Sequence, residues 1–199
     1  PYGKDTPVMY RERSYGSESA TSEHACWETA DPSWWVPHGY ALVRVDSRGA
    51  FKSPGKRDFI SRKEQEDYYD MVEWCGTQPW CNGKVGLLGI SFFSSTQWPV
   101  AALNPPHLAA ICPWEGYSDM YRDRARHGGM YYCFTDQWWK HHYTDQGEDE
   151  KPGFVDWRVE FRKHEWDDEF YAERRADLSK ITVPVLSAGN WGALHMHLR

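Results

Sequence analysis

The chain is predicted to fold as an α/β protein, a mostly parallel, doubly wound sheet with a helical cap inserted between its strands. Three features carry that reading. From residue 39 to residue 112 apolar runs alternate with amphipathic stretches of helical period, giving strand, helix, strand, helix, strand. Within that pattern Val85–Ile90 runs into Ser91 with no polar loop between, a strand-to-helix turn with a serine at its apex. From residue 117 to residue 180 the strand idiom gives way to charged, aromatic sequence with helical segments, and residues 183–188 restore it.

Residues 1–4, P-Y-G-K, read as a loop leaving a strand, and 6–37 as an irregular excursion with one short helix, polar and without clean period. Residues 39–46, G-Y-A-L-V-R-V-D, form a continuous β-branched run between a glycine and a polar turn, which predicts a strand buried on both faces. A loop over 47–55 follows, where Asp46 and Arg48 are expected to pair. Residues 64–77 place Tyr68, Met71, Val72 and Cys75 on one helical face with carboxylates in the first turn. After the Pro79-Trp80 turn come the 85–90 strand and a helix running through Leu103, which Asn104-Pro105-Pro106 ends. A strand over 108–112 precedes helical segments near 118–127, 134–142, 155–164 and 167–178, with 147–153 a polar connector and no good strand among them. The expected organisation is a first part of the core over 1–116, a helical cap over 117–180 and a continuation of the core over 181–199.

Composition narrows the function. With 199 residues the chain can bury one substantial core. A net charge of −6 with both signs interspersed gives no basic stripe for nucleic acid. No run reaches the length of a membrane-spanning helix and no signal peptide is visible, so no membrane partner is expected. The five cysteines are odd in number and lack metal-ligand spacing, which suggests a reduced, cytoplasmic setting; Cys75 and Cys81 flank a turn but nothing requires them to pair. The chain starts at Pro1 and ends just after an apolar segment, as a piece of a longer protein would, and its open sheet edges predict self-association into a homo-oligomer. There is no glycine-rich phosphate loop, no C-x-x-C and no H-E-x-x-H, so no cofactor and no metal is predicted. Aromatic residues are abundant, and their surplus after residue 114 suits a core or an apolar pocket.

Gly89-Ile90-Ser91 supplies the first half of a G-x-S-x-G nucleophile elbow; the fifth position is Phe93. Taken alone, such a serine is more often a helix N-cap. Longer blocks add to it: P-Y-G-K-D at 1–5, G-Y-A-L-V-R-V-D-S-R-G at 39–49, Q-P-W-C-N-G-K-V-G-L-L-G-I-S at 78–91, and N-P-P-H-L-A-A-I-C-P-W-E-G-Y-S-D-M-Y-R-D at 104–123. With D-L-S-K-I-T-V-P-V-L-S-A-G-N-W at 177–191, they resemble in order the α/β-hydrolase group of cocaine esterase and Xaa-Pro dipeptidyl-peptidase. The resemblance implies an α/β-hydrolase fold with a helical cap, in a chain cut short of the family's at both ends. It implies a serine hydrolase acting on a small-molecule carboxylic ester or amide, with esterase the safer expectation than peptidase. It makes Ser91 the nucleophile and gives the oxyanion two donors, the Phe92 backbone N–H and the Tyr2 hydroxyl.

Three positions depart from the family. Phe93 must sit over the pocket or push the helix from the strand, the position of the triad acid falls at Ala193, and the histidine position lies beyond Arg199. Glu115, at the end of the 108–112 strand, is the candidate substitute acid, with Asp119 second; the plainer reading makes Glu115 a structural residue at the start of the cap. His195 and His197, His141 and His142, and His107 read as structural, solvated and turn residues respectively, so no base is assigned. The alternative function is a hydrolase-like fold without catalysis, acting as a binding or assembly module.

Overall fold

The structure, a computed structural model, describes residues 22–142 and 152–193. The readings for Tyr2, His195 and His197 lie outside the described residues.

The centre of the fold is a parallel strand pair, β1 (Val85–Ile90) and β2 (Leu108–Trp114), in the register Gly86↔Ala110 through Ile90↔Trp114. Residues 183–188, expected as a strand, run along the other edge of β2 but touch it through two parallel bridges, Ile111↔Val185 and Trp114↔Ala188, rather than a full ladder. The bonds are regular where they form: Ile111 N–H donates to Pro184 O at 3.0 Å, and Leu186 N–H returns to Ile111 O at 3.0 Å.

Between these strands lie α1 (Pro32–Trp35) and α2 (Arg62–Gly76) before β1, then α3 (Phe92–Ser95) and α4 (Gln97–Ala102) before β2. The start of α2 follows from its sequence: Ser61 Oγ accepts the Glu64 N–H at 3.3 Å, while the Glu64 carboxylate reaches back to the Ile60 N–H. The α2 face bearing Val72 packs with Leu87, Val100, Ala101, Leu108 and Ile111 into the core beside the sheet.

Four expectations are corrected. Residues 40–46 take no regular structure and join no ladder among the described residues, and Tyr40, Val43 and Val45 are exposed. An apolar run is buried on both faces only inside a sheet covered by packed layers above and below, and no described strand pairs with this one to place it in the sheet. The helix expected through Leu103 breaks at Thr96 into α3 and α4; Pro99 has no N–H to offer the Ser95 carbonyl. The helix near 118–127 is a π-helical turn, Tyr121–Ala125, followed by a tight hairpin of β3 (Arg126–His127) and β4 (Met130–Tyr131). Gly128 and Gly129, at φ 59° and 87°, supply the two left-handed residues that such a hairpin needs. Finally, Arg48 is committed to Asp67 on α2, with two bonds of 2.6 Å.

Helices α5 (Phe134–His142), α6 (Trp157–Lys163) and α7 (Glu169–Ala172) complete the chain up to residue 180. Much of the aromatic surplus forms a second core of Tyr117, Met120, Trp139, Trp157, Phe161 and Tyr171, which also takes in Phe59 and Phe92 from earlier in the chain. Phe59 is its hub, meeting Phe92, Trp139 and Trp157 edge-on with centroids 5.5–5.7 Å apart. Gln65 spans the two parts of the chain, its Nε2 donating to Ile60 O at 2.9 Å and Glu173 O at 2.8 Å.

The fully buried Gln97 joins α4 to the sheet: its Oε1 accepts the Cys112 N–H at 3.0 Å and its Nε2 donates to Phe93 O at 2.8 Å. Gln97→Leu keeps the volume but strips these partners, and it is expected to cost about 1–3 kcal/mol in urea denaturation. An unchanged midpoint would show that the amide is not a structural tie.

Candidate active site

Ser91 stands between β1 and α3 with φ 58° and ψ −114°, a backbone conformation that non-glycine residues rarely adopt. Such a residue costs of the order of 1–3 kcal/mol and persists only where its surroundings hold it. Here they do. Ser91 N–H donates to Trp114 O at 3.0 Å, which extends the β1–β2 pairing by one residue, and the N–H groups of Ser94 and Ser95 converge on Ser91 O at 3.1 and 2.9 Å. Ser95 Oγ adds a third bond to that carbonyl at 3.0 Å and accepts the Tyr117 N–H at 3.1 Å, which fixes the chain leaving β2 to the turn.

Phe93 is accommodated without displacing the helix. A Cβ on Gly89 would overlap Phe93 Cβ, so the hydrogen at Gly89 is what lets a bulky residue lie across the turn. Phe93 then packs against the aromatic core and does not line the serine's cavity. The close approach that a glycine at the fifth motif position would allow occurs instead at Gly116, where a Cβ would come within 2.9 Å of Ser95 N.

Ser91 is half-buried and opens on a narrow cavity of ≈ 30 Å³ shared with Phe92, Tyr117, Arg124, Phe134, Trp138 and Trp157. The Phe92 ring belongs to the aromatic core, while its N–H lies at the first position of α3, where a helix offers no internal acceptor. A roomier groove of ≈ 520 Å³ beside Lys56, Asp58, Phe154 and Arg174 shares no residue with the serine's cavity.

Two carboxylates flank the turn. Glu115, the candidate acid, follows β2 directly with φ 52°, and its N–H is held by Ala188 O at 2.9 Å. Glu28 was not singled out in the sequence because it sits in an aperiodic excursion. Its carbonyl accepts the Ile90 N–H at 3.2 Å, one residue before the serine, and it too has positive φ, 59°. Glu28 Oε2 is buried without a hydrogen-bond partner. Burial, reinforced by the nearby Glu115 charge, pushes the Glu28 carboxyl up to about 8.

Asp119, the second candidate, is tied up in ion pairs with Arg122 at 2.6 Å and Arg175 at 2.7 Å. Burial works to raise its pKa, but these bonds and the Arg122 N–H hold the carboxyl below its ordinary value. The five described histidine rings have partners elsewhere: His107 with Glu73 at 2.7 Å, His127 with Asp123 O at 2.8 Å, His164 with Asp168 at 2.7 Å, His38 with Trp34 O at 2.5 Å, and the exposed His24 beside Glu23 at 3.7 Å. The side chains of His141 and His142 are not described. Ala193 closes a one-turn helix, Trp191–Ala193, whose first residue is 90% exposed.

Residues 1–152 match the family model of X-Pro dipeptidyl-peptidase (S15 family). The chain belongs to this family. Cocaine esterase from a Rhodococcus species is 38% identical over 99 residues, 48% of this chain and 17% of that protein. Xaa-Pro dipeptidyl-peptidase from Lactobacillus helveticus is 24% identical over 140 residues, 62% of this chain and 18% of that one. The crystal structure of a CocE/NonD family hydrolase from Staphylococcus aureus superposes with a TM-score of 0.81 at 38% identity, covering 92% of this chain and 33% of that one. The S15 chain thus has the α/β-hydrolase fold, and it spans under a fifth of these curated relatives and a third of the solved hydrolase. Among the described residues no helix is long and apolar enough to cross a membrane.

The raised Glu28 carboxyl has a direct consequence for stability. Between its ordinary 4.5 and about 8 the fold keeps a proton that the unfolded chain has lost, so this residue's contribution falls as pH rises through that window. Glu28→Gln, which carries no charge in either state, is expected to melt above the parent at pH 8 and to converge with it below pH 4.5. Parallel melting curves across that range would contradict the assignment.

Proposed function

We propose that this S15 chain is the nucleophile-bearing part of a serine hydrolase that cleaves a carboxylic ester or amide through an acyl-enzyme on Ser91. The observation that carries the reading is the backbone of Ser91, left-handed at φ 58°, at the junction of a parallel strand and a helix. That geometry lifts a serine side chain above the ends of the strands and leaves the next amide free to face the same space.

In the proposed mechanism the Ser91 hydroxyl attacks the acyl carbon as its proton passes to a histidine base, assigned to no residue of this chain; that proton then goes to the alcohol or amine released as the ester or amide bond breaks, and water hydrolyses the acyl-enzyme by the same steps. The developing oxyanion accepts hydrogen bonds from the Phe92 N–H and the Tyr2 hydroxyl; each such donor is worth roughly 10²–10³ in rate. Glu115 is the proposed acid, on the loop after β2. Residues 117–180 act as the cap, between core segments 1–116 and 181–199, and keep water from the acyl-enzyme. Esterase activity is favoured over peptidase activity because no described acidic cluster anchors a peptide's amino terminus.

A binding module without catalysis is the second reading, favoured by Ala193 at the expected acid position. A fluorophosphonate probe separates the two. The hydrolase gives one adduct that maps to Ser91 by mass spectrometry, and Ser91→Ala removes it with at least about 10³ of ester hydrolysis. A complete protein that stays unlabelled would support the binding module. Glu115→Gln is expected to slow labelling at least tenfold without lowering the melting temperature; a loss of stability with labelling intact would make Glu115 structural.

A further inference from the structure

We propose that Ser91 accepts an acetyl group in preference to any longer acyl chain, and that Trp138 sets that limit. This rests on the reading of Ser91 as the nucleophile and narrows its substrates to acetyl esters and acetamides. The cavity onto which Ser91 opens holds ≈ 30 Å³, about the share of one water molecule in the liquid. A methyl group is of that size, so the acetyl methyl fits and a butanoyl chain does not. The larger groove beside Lys56 cannot take the excess, because none of its described lining residues borders the serine's cavity.

The described wall divides into a fixed part and an adjustable one. Phe92, Tyr117 and Trp157 are buried and belong to the aromatic core. Phe92 and Trp157 both meet Phe59 edge-on at 5.5 Å, and Trp157 also stacks on Phe161 at 5.5 Å. A close-packed core yields little, so a longer acyl chain would have to displace rings that the fold itself needs. Phe134 and Trp138 complete the wall from α5, where a spacing of four residues puts both on one helical face. Both are only half-buried. Phe134 is held on its other side by a stack with Tyr132 at 5.8 Å, whereas Trp138 packs against the core with its nearest ring neighbour, Trp139, 6.3 Å away. Arg124 braces the pair, its guanidinium carbon 5.1 Å from the Phe134 centroid and 5.4 Å from that of Trp138. Trimming the Trp138 indole therefore enlarges the cavity from the α5 side and leaves the rings around Phe59 in place.

In the acetyl transfer the ester C–O or amide C–N bond breaks as the bond from Ser91 Oγ to the carbonyl carbon forms. The alcohol or amine leaves with the serine's proton, and water then releases acetate. One methylene too many in a closed apolar pocket changes kcat/KM by about 10- to 200-fold.

The test compares p-nitrophenyl acetate with p-nitrophenyl butanoate, which share a leaving group and differ only in acyl length, in the full-length protein. The acetate is expected to be favoured at least about tenfold in kcat/KM. Trp138→Ala should raise the butanoate-to-acetate ratio by at least about tenfold. Trp138→Phe should raise it by a smaller factor, and it carries the test if the alanine variant does not fold. The ratio is read within one preparation, so a partly folded variant does not distort it. A parent that cleaves butanoate as fast as acetate, or a ratio that neither substitution moves, would overturn the proposal. With Ser91 labelled by the fluorophosphonate, either of those results removes the acetyl limit and leaves the hydrolase standing. A protein that takes no label and cleaves neither ester removes both.

Discussion

The site depends on how the backbone around Ser91 is tied down. A left-handed serine is a local defect that the chain would relax by rotating φ, and three neighbouring segments prevent it. The Trp114 carbonyl holds its N–H, the Ser94 and Ser95 amides hold its carbonyl, and the Glu28 carbonyl holds the Ile90 amide just before it. Each of these bonds is ordinary, worth about 1 kcal/mol net; the Ser94 and Ser95 bonds are local to α3, but those from Trp114 and Glu28 come from elements far away in sequence. The turn therefore exists only in the assembled sheet, and the strain is offset by tertiary structure rather than by local preference.

Both cores reach this turn. The aliphatic core of Val72, Leu87, Val100 and Ile111 joins β1 and β2 to α2 and α4, and the aromatic core of Phe59, Phe92, Trp139 and Trp157 supplies Phe92 and Trp157 to the serine's cavity. Phe92 joins the turn to the aromatic core: it is the first residue of α3 and its buried ring meets Phe59 edge-on. Gly89 and Gly116 mark the places where backbone and helix approach too closely for a Cβ.

The parallel strands and the serine turn could be read from the sequence because periodicity and turn chemistry are local signals. Val85–Ile90 is apolar throughout, and nothing but a sharp turn fits between Ile90 and Phe92. The absence of regular structure at residues 40–46 was not legible, because those residues have the composition of a buried strand and no described neighbour pairs with them. The break at Thr96 was written in Pro99, three residues inside the α4 pattern, but the continuing apolar spacing masked it. Glu28 had no local signal at all. Its significance comes from a carbonyl that reaches Ile90, sixty-two residues away along the chain (90 − 28 = 62), and only the assembled structure reveals such a pairing. The aromatic residues after 114 were visible as composition, whereas which of them pack in the core and which border the serine's cavity is settled only in the assembled structure.

The ties between the early chain and the helices after residue 134 are long. Arg174 pairs with Asp58 at 2.7 Å across 116 residues, and Phe59 meets Trp157 across 98 (157 − 59 = 98). On a ribosome, Asp58 and Phe59 emerge well before their later partners exist, so the faces of Phe59 that meet Trp139 and Trp157 wait uncovered through the synthesis of the serine turn and the whole of β2. The later helices pack against it last because of where they lie in the message, and a nascent chain arrested before residue 139 displays an aromatic face of the kind that holding chaperones bind. Closing so large a loop carries an entropic cost that grows only with the logarithm of its length, so the vulnerability is one of timing during synthesis and not of stability once the chain is complete.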